Sequence, residues 1–246
     1  MTLTDKLEGS IHGSVGVPWM YLDKVGLVTT GLGNLMDKGA KGDVYNQPWT
    51  HGIGGPLASR DEIDSAWNAV KERQDLAHLG GGNTAFANLS DLRLSDEAIL
   101  NLVNSKLSAF ENIIRGDFPG YDSWPADAQL GMLSLAWANG PKFKNGYPLF
   151  AAAANGLMPL FDEMAKQSGI KDNAPRTDAN FTLFSNAASV LRGNGDPTRL
   201  YFPNSFDLSP RQATIAKAGG VSLLSILVTG GVGYAGYKYG KKRGWL

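Results

Sequence analysis

The residues best suited to chemistry near the start of the chain are a carboxylate and a hydroxyl six positions apart, Asp23 and Thr29. The apolar residues around them predict two strands, residues 19–22 and 27–30, joined by a turn at residues 24–26. Because side chains on a strand alternate between its two faces, a carboxylate at the turn and a hydroxyl on the second strand can point into one cleft. We therefore expect this hairpin to form half of an active site.

A second acid upstream would complete a pair of carboxyl groups. Hydrolysis of a glycosidic bond requires a proton donor to the leaving oxygen, and a second group that positions water or stabilises positive charge. Two carboxyl groups in different environments can divide these tasks. Glu8 and Asp23 are the candidate pair, and Asp5 is the only nearby substitute. The alternative is that Glu8 is a surface acid at a helix end, Asp23 a plain turn residue and Thr29 an ordinary strand residue.

Three segments carry recognisable motifs in a fixed order. The first has a Glu-Gly pair, an Asp at a hairpin, a Thr after five intervening residues and a Gly-x-Gly motif. The second is an acidic helix start followed by a long helix, and the third is a buried helix that ends at an Asn-Gly turn. The matching residues are Glu8-Gly9, Tyr21-Leu22-Asp23, Thr29, Gly31, Gly33, Leu94–Ala98 and Asp127–Gly140. This order resembles the phage-type lysozymes of glycoside hydrolase family 24 over roughly residues 3–200.

The resemblance implies a role for each residue of the hairpin site. Glu8 would be the general acid, Asp23 would orient the attacking water or stabilise the oxocarbenium-like state, and Thr29 would help to hold that water. The activity implied is that of a muramidase, which hydrolyses the β-1,4 bond between N-acetylmuramic acid and N-acetylglucosamine and needs no cofactor or metal. Water between the two carboxyl groups makes inversion the expected outcome. Transglycosylase chemistry, in which one acid suffices, stays open.

The same resemblance also suggests residues that contact peptidoglycan glycan strands. These candidate substrate-binding residues are Gly31, Gly33, Asn34, Trp137 and Asn139. Trp137 has an alternative role in the core, because its helix is apolar nearly all round. The chain departs from the family pattern in two places. Fourteen residues separate Glu8 from Asp23, more than is usual in the family, and Asn34 stands where the family usually has His.

The apolar periodicity predicts an α+β fold that is predominantly helical, with a small N-terminal β-hairpin sheet. Helices are predicted from residue 59 or 61 to about 78, from 95 to about 116, and from about 125 to 139, the last being the buried central helix. Further helices follow up to residue 193. The predicted organisation along the chain is a lysozyme-like catalytic domain at 1–202, a linker at 203–217, a transmembrane helix at 218–237 and a basic tail at 238–246.

Composition gives no sign of other partners. The chain has 23 basic and 23 acidic residues among 246, so its net charge offers no argument for a nucleic-acid partner. Cysteine is absent, which excludes disulfides and thiolate metal sites. The three histidines, His12, His51 and His78, lack metal-ligand spacing and are interpreted as loop or surface residues. We accordingly predict no metal and no nucleic-acid partner.

The C-terminal segment 218–237 carries no charged residue. Twenty helical residues span about 30 Å, the thickness of a bilayer core, and Tyr237 and Trp245 fit the interfacial aromatics of a span. A buried glycine-rich core helix is the alternative. Glycines between positions 230 and 240 would permit helix–helix association. Basic residues after the span favour a cytoplasmic tail, with the enzyme domain across the membrane.

An anchored muramidase suggests two settings, the membrane of a virion or the inner membrane of a host. In the first it would open the cell wall during genome entry, and in the second it would act in lysis. Two alternatives from other classes remain. One is a catalytically inactive wall-binding or structural virion membrane protein, and the other is a secreted antibacterial muramidase toxin.

The predicted anchor can be tested by phase partitioning of the full chain. Because 218–237 would be buried in lipid or detergent, we expect the protein to enter the detergent phase and a chain ending at residue 210 to stay in the aqueous phase. Recovery of the full chain in the aqueous phase would contradict a transmembrane segment.

Overall fold

The computed structural model describes residues 16–37, 44–79, 84–193 and 195–206. Within these residues the protein is an α+β fold, mostly helical, with small antiparallel sheets near the N-terminus. The coarse fold class predicted from the sequence is therefore confirmed. The structure divides into two compact units with a boundary between Asn104 and Ser105, inside one long helix.

The first unit contains both sheets. Strands β1, β2 and β3 form an antiparallel three-stranded sheet in that order, and β4 pairs with β5. Helices α1 and α2 both pack against β1, which explains why nearly every residue of that strand is buried. The strands are β1 Val17–Leu22, β2 Val28–Gly31, β3 Asn34–Leu35, β4 Thr50–His51 and β5 Leu92–Arg93. The helices are α1 Arg60–Lys71, α2 Thr84–Ala87 and the start of α3 Asp96–Asp117.

The predicted hairpin is present as β1 and β2. Tyr21 pairs with Thr29 and Leu22 with Val28, and the register shifts once between Val17 and Tyr21. The shift is a bulge-like irregularity, which lets a strand bend as it follows a curved sheet. A second hairpin to β3 completes the sheet, because Thr29 also pairs with Leu35.

Helix α1 begins with a capping box, in which Ser59 and Glu62 satisfy each other's backbone N–H groups. Its buried residues Ile63, Ala66 and Val70 recur at helical spacing, so one face packs on the core. The helix ends at residue 71, earlier than the predicted residue 78, and a 3₁₀ helix, Gln74–Leu79, follows.

The second unit is helical. Helix α4 is buried at every residue from Ala126 to Ala136, which confirms the predicted central helix. It packs against α7, and Gly131 lets the two helices approach, since a Cβ there would lie 2.9 Å from the Phe184 ring. The helices of this unit are the remainder of α3, α4 Ala126–Asn139, α5 Pro148–Ala154, α6 Phe161–Gln167 and α7 Ala174–Arg192.

Residues 201–206 are held against the helices of the second unit by two buried polar side chains. The Asp127 carboxylate accepts hydrogen bonds from the backbone N–H groups of Tyr201 and Phe202, each at 2.9 Å, and from the Asn186 amide at 2.8 Å. Asn186 also accepts from the Phe206 N–H at 2.7 Å. The start of the predicted linker, up to Phe206, thus makes hydrogen bonds to Asn186.

No helix within the described ranges is long and apolar enough to cross a membrane. The predicted transmembrane helix at 218–237 lies outside those ranges. So does Glu8, together with the short N-terminal helix expected around it.

Asp127 provides a test of how the second unit is stabilised. We expect Asp127→Asn to lower the free energy of unfolding at pH 7 by about 1–3 kcal/mol, because the new amide N–H would face the N–H of Tyr201 or Phe202 and leave a buried donor unpaired. Chemical denaturation measures this loss, and the exposed Asp178→Asn in α7 is the matched control.

The same variant tests a pH effect. Burial raises the pKa of Asp127 from 3.8 to about 6, although the hydrogen bonds it accepts oppose the rise. The folded state therefore holds a proton that the unfolded state has released, and this contribution to stability falls as pH rises from about 4 to about 6. The difference in unfolding free energy between wild type and Asp127→Asn should shrink over that interval. A constant difference would contradict the raised pKa.

Candidate active site

The turn between β1 and β2 is closed by Asp23. Its N–H donates to the Leu27 carbonyl at 3.0 Å, and its own carbonyl accepts from the Gly26 N–H at 2.9 Å. One carboxylate oxygen, Oδ1, accepts from the N–H groups of Val25 at 3.0 Å and Leu27 at 2.9 Å. This is the self-capped turn that Asp favours. Gly26 has φ +80°, which a residue with a Cβ adopts only with strain.

The side chains of Thr29 and Asp23 both form hydrogen bonds with the backbone of Leu27. The Thr29 hydroxyl donates to the Leu27 carbonyl at 3.2 Å, while Asp23 Oδ1 accepts from the Leu27 N–H. The carboxylate and the hydroxyl are therefore positioned by the two polar groups of one backbone residue. Because the hydroxyl donates its one hydrogen to Leu27, only the lone pairs of its oxygen can take part in a further bond. The residue is 4% exposed.

The second carboxylate oxygen of Asp23, Oδ2, has no hydrogen-bond partner among the described residues. The side chain is partly exposed, next to the exposed Lys24 and Val25. One oxygen is thus fixed by the turn, and the other is available to accept a proton or a hydrogen bond from a water molecule or a substrate hydroxyl.

A partly buried ion pair between Lys71 of α1 and Asp37 supports the turn. Lys71 Nζ lies 2.7 Å from Asp37 Oδ2 and donates to the Gly26 carbonyl at 2.8 Å. The same Asp37 oxygen accepts from the Val28 N–H at 3.2 Å. Asp37 follows β3, and its side chain is 7% exposed. Lys71 therefore links the turn, the start of β2 and the residues after β3 through one ammonium group.

Sequence reasoning missed both members of this pair. Asp37 looks like a surface acid before a glycine-rich stretch, and Lys71 looks like the basic residue common in a last helical turn. Their separation of 34 residues leaves no local pattern that would reveal the contact.

The three predicted substrate-binding residues of the hairpin differ in exposure. Gly33 is exposed, whereas Gly31 and Asn34 are buried. Asn34 Oδ1 accepts from the Leu32 N–H at 3.3 Å, which fixes the orientation of the amide, and its Nδ2 has no partner among the described residues. Gly31 has φ +58°, and a Cβ on it would lie 3.1 Å from Ile99. In this arrangement Gly31 and Asn34 shape the hairpin, and Gly33 presents its backbone at the surface.

The remaining candidates, Trp137 and Asn139, belong to the second unit, at the end of α4. Trp137 is half-buried, and its ring meets the Phe110 ring edge to face at 6.3 Å. Asn139 is exposed, and its Nδ2 donates to the Tyr147 hydroxyl at 3.2 Å. The structure thus places Asp23 at the β1–β2 turn and Thr29 on β2, whereas Gly31 ends β2 and Gly33 lies in the turn to β3, at the opposite end of that strand. Glu8 lies outside the described residues.

A second charged cluster in the first unit surrounds His51 on β4. His51 Nδ1 lies 2.9 Å from Asp91 Oδ2, and Nε2 lies 3.2 Å from Glu62 Oε1. The hydrogen bond to Asp91, with a smaller contribution from Glu62, raises the pKa of His51. These contacts connect β4, α1 and the residue before β5. In the part of the chain that the structure describes, no group of three or more His, Asp or Glu side chains has the arrangement of a metal site.

The role of the Lys71–Asp37 ion pair in supporting the β1–β2 turn can be tested with the substitution Lys71→Met. Removal of the ammonium takes its cation away from the buried Asp37 carboxylate, so we expect the free energy of unfolding to fall by about 1–3 kcal/mol. The amide protons of Leu27 and Val28 should also exchange faster, because the turn loses its support.

Lys166→Met is the matched control, since Lys166 pairs with Glu163 in an exposed setting. Its effect should stay within about 0.5 kcal/mol. Equal effects of the two substitutions on stability and exchange would show that Lys71 does not support the turn.

Comparison with known proteins identifies no relative of this chain. No protein-family model matches the chain, and searches of curated proteins and of solved structures return no significant match. The resemblance to phage-type lysozymes therefore depends on the motifs themselves, and the function is a matter for a proposal based on the hairpin and its chemistry.

Proposed function

We propose that the protein is a peptidoglycan hydrolase of the muramidase type, with a lysozyme-like catalytic fold. The observation that carries the proposal is the hairpin turn. It fixes one oxygen of Asp23 with two backbone N–H groups and leaves the other oxygen without a partner in the described chain. A carboxylate held in this way can orient a water molecule without having to reorganise during the reaction. The motif order shared with phage-type lysozymes supports the same assignment.

The proposed mechanism is a single displacement. Glu8 donates its proton to the oxygen of the leaving N-acetylglucosamine as the bond from that oxygen to the anomeric carbon breaks. A water molecule, held at the free oxygen of Asp23, forms the new bond to that carbon and gives up a proton to the carboxylate. Thr29 accepts a hydrogen bond from that water. The anomeric configuration is inverted, because water enters opposite the leaving group.

We also propose that the enzyme is membrane-anchored through residues 218–237. A single-pass anchor in a virion membrane or a host inner membrane would hold the catalytic domain at the cell wall. Helix association through glycines 230–240 would then bring two chains together in the membrane.

The catalytic roles are tested by Glu8→Gln and Asp23→Asn, assayed by release of reducing ends from purified peptidoglycan. Asn at position 23 can still accept from the N–H groups of Val25 and Leu27, so the turn should persist while the charge is lost. We expect each substitution to lower kcat by at least about a hundredfold, because a general acid or base is removed. Melting temperature checks that the fold is retained.

Asp196→Asn is the matched control, since Asp196 Oδ1 accepts from the Thr198 N–H in a similar turn of the second unit. Its activity should equal that of the wild type. Full activity of Asp23→Asn would show that the hairpin carboxylate is not catalytic, and an anhydro product in place of reducing ends would assign transglycosylase chemistry.

A catalytically inactive wall-binding protein is the second candidate. The 14 residues between Glu8 and Asp23 favour it, because a longer connection makes the approach of the two acids harder to maintain. Binding to peptidoglycan without release of reducing ends or anhydro products would support this candidate.

A further inference from the structure

Three lysines with ring contacts in the described chain allow a direct comparison. Lys71 Nζ lies 5.9 Å from the Trp67 ring centroid and pairs with a carboxylate at 2.7 Å, on Asp37. Lys144 Nζ lies 5.9 Å from the Phe118 ring and pairs with a carboxylate at 2.9 Å, on Asp117. In both cases the aromatic ring covers the side chain and an acid neutralises its charge.

Lys106 on α3 lies near two aromatic rings, but no carboxylate among the described residues pairs with it. Its Nζ lies 5.5 Å from the Trp137 ring centroid and 5.9 Å from that of Phe110. The side chain is half-buried, and burial lowers its pKa. Among the described residues it has no hydrogen bond and no ion pair. All three residues belong to the second unit.

Stability alone does not account for this arrangement. Both ring distances are near the outer limit of about 6 Å at which a cation and a ring attract each other appreciably. Loss of hydration around an ammonium group opposes burial. Lys106 is therefore a half-buried ammonium beside two aromatic rings for which the described residues supply no counter-ion, and a charged group in such a partly desolvated setting is a frequent property of binding sites.

We propose that Lys106, Phe110 and Trp137 form a subsite for a carboxylate of peptidoglycan. The Lys106 ammonium binds the carboxylate, and the Trp137 indole packs against the apolar face of the adjacent sugar or peptide. The identity of the ligand rests on the proposed function, whereas its negative charge is inferred from the Lys106 ammonium, which has no carboxylate partner among the described residues. Two parts of peptidoglycan supply such a group, the lactyl carboxylate of muramic acid and the carboxylates of the stem peptide.

The test uses full-length protein in mild detergent, with Glu8→Gln in every chain so that binding is measured without turnover. The ligands are glycan strands freed of peptide, which carry lactyl carboxylates, the isolated stem peptide, and an N-acetylglucosamine tetrasaccharide, which has no carboxylate. The variants are Lys106→Met, Lys106→Arg and the control Lys171→Met, which removes the same charge from an exposed lysine of the second unit. Calorimetry gives the affinity, and amidated glycan strands provide a chemical control.

We expect Lys106→Met to weaken binding of a carboxylated ligand by about tenfold or more, the size of a lost charge-assisted hydrogen bond. Lys106→Arg should retain most of the affinity, and Lys171→Met should have no effect. Amidation should weaken wild-type binding to the level of Lys106→Met. Whichever of the two carboxylated ligands shows the loss identifies the source, and the tetrasaccharide should bind all variants alike.

Thermal stability separates a binding role from a structural one. Met can fill the same volume and contact both rings, and it removes a poorly hydrated charge, so Lys106→Met should melt at the wild-type temperature or above. A lower melting temperature with unchanged affinity would overturn the proposal and assign a structural cation–ring contact. If the wild type cleaves no peptidoglycan but Lys106→Met still weakens carboxylate binding, the subsite is supported and only the hydrolase is refuted.

Discussion

The hairpin depends on one ammonium group placed where three parts of the first unit converge. In a tight turn some backbone carbonyl groups have no hydrogen-bond partner within the turn and need one from elsewhere. Burial of a carboxylate without a nearby cation costs free energy. Lys71 meets both requirements at once, because it contacts the Gly26 carbonyl and the Asp37 carboxylate. Since Asp37 also accepts from the Val28 N–H, the start of β2 is held in the same network.

This support has a direct consequence for chemistry. Asp23 closes the turn with Oδ1, so movement of the turn would move the carboxylate as well. Because Lys71 of α1 holds the turn, the free oxygen of Asp23 keeps a fixed position relative to Thr29. The two residues are also linked through their hydrogen bonds to Leu27. Fixed orientation of this kind is what allows a polar group to stabilise a transition state without reorganisation.

The parts of the fold that the sequence revealed are those with a local cause. The hairpin follows from apolar residues on both sides of a Gly-containing turn. Helix α3 follows from its Ser95 cap, which accepts from the Ala98 N–H, and α4 follows from an unbroken apolar surface. Strands β4 and β5 were not predicted, because strands of two residues are too short to show periodicity. Polar contacts between residues far apart in the sequence were not predicted for a different reason, which is that each residue has an ordinary local interpretation. Asp127 reads as an ordinary acid of a first helical turn, yet it binds the Tyr201 N–H 74 residues away.

The same contrast explains why the role of Trp137 was left open by the sequence. An apolar helix predicts a core position, and Trp137 is indeed half-buried against Phe110. What the helix pattern does not contain is the lysine that lies over the ring, because Lys106 comes from α3 and reads there as a solvent-facing residue. Buried polar groups in a folded protein are almost always paired, and Asp37 and Asp127 obey this rule. Lys106 is half-buried and contacts the rings of Phe110 and Trp137 with no carboxylate partner among the described residues, and this is the observation behind the proposed carboxylate subsite.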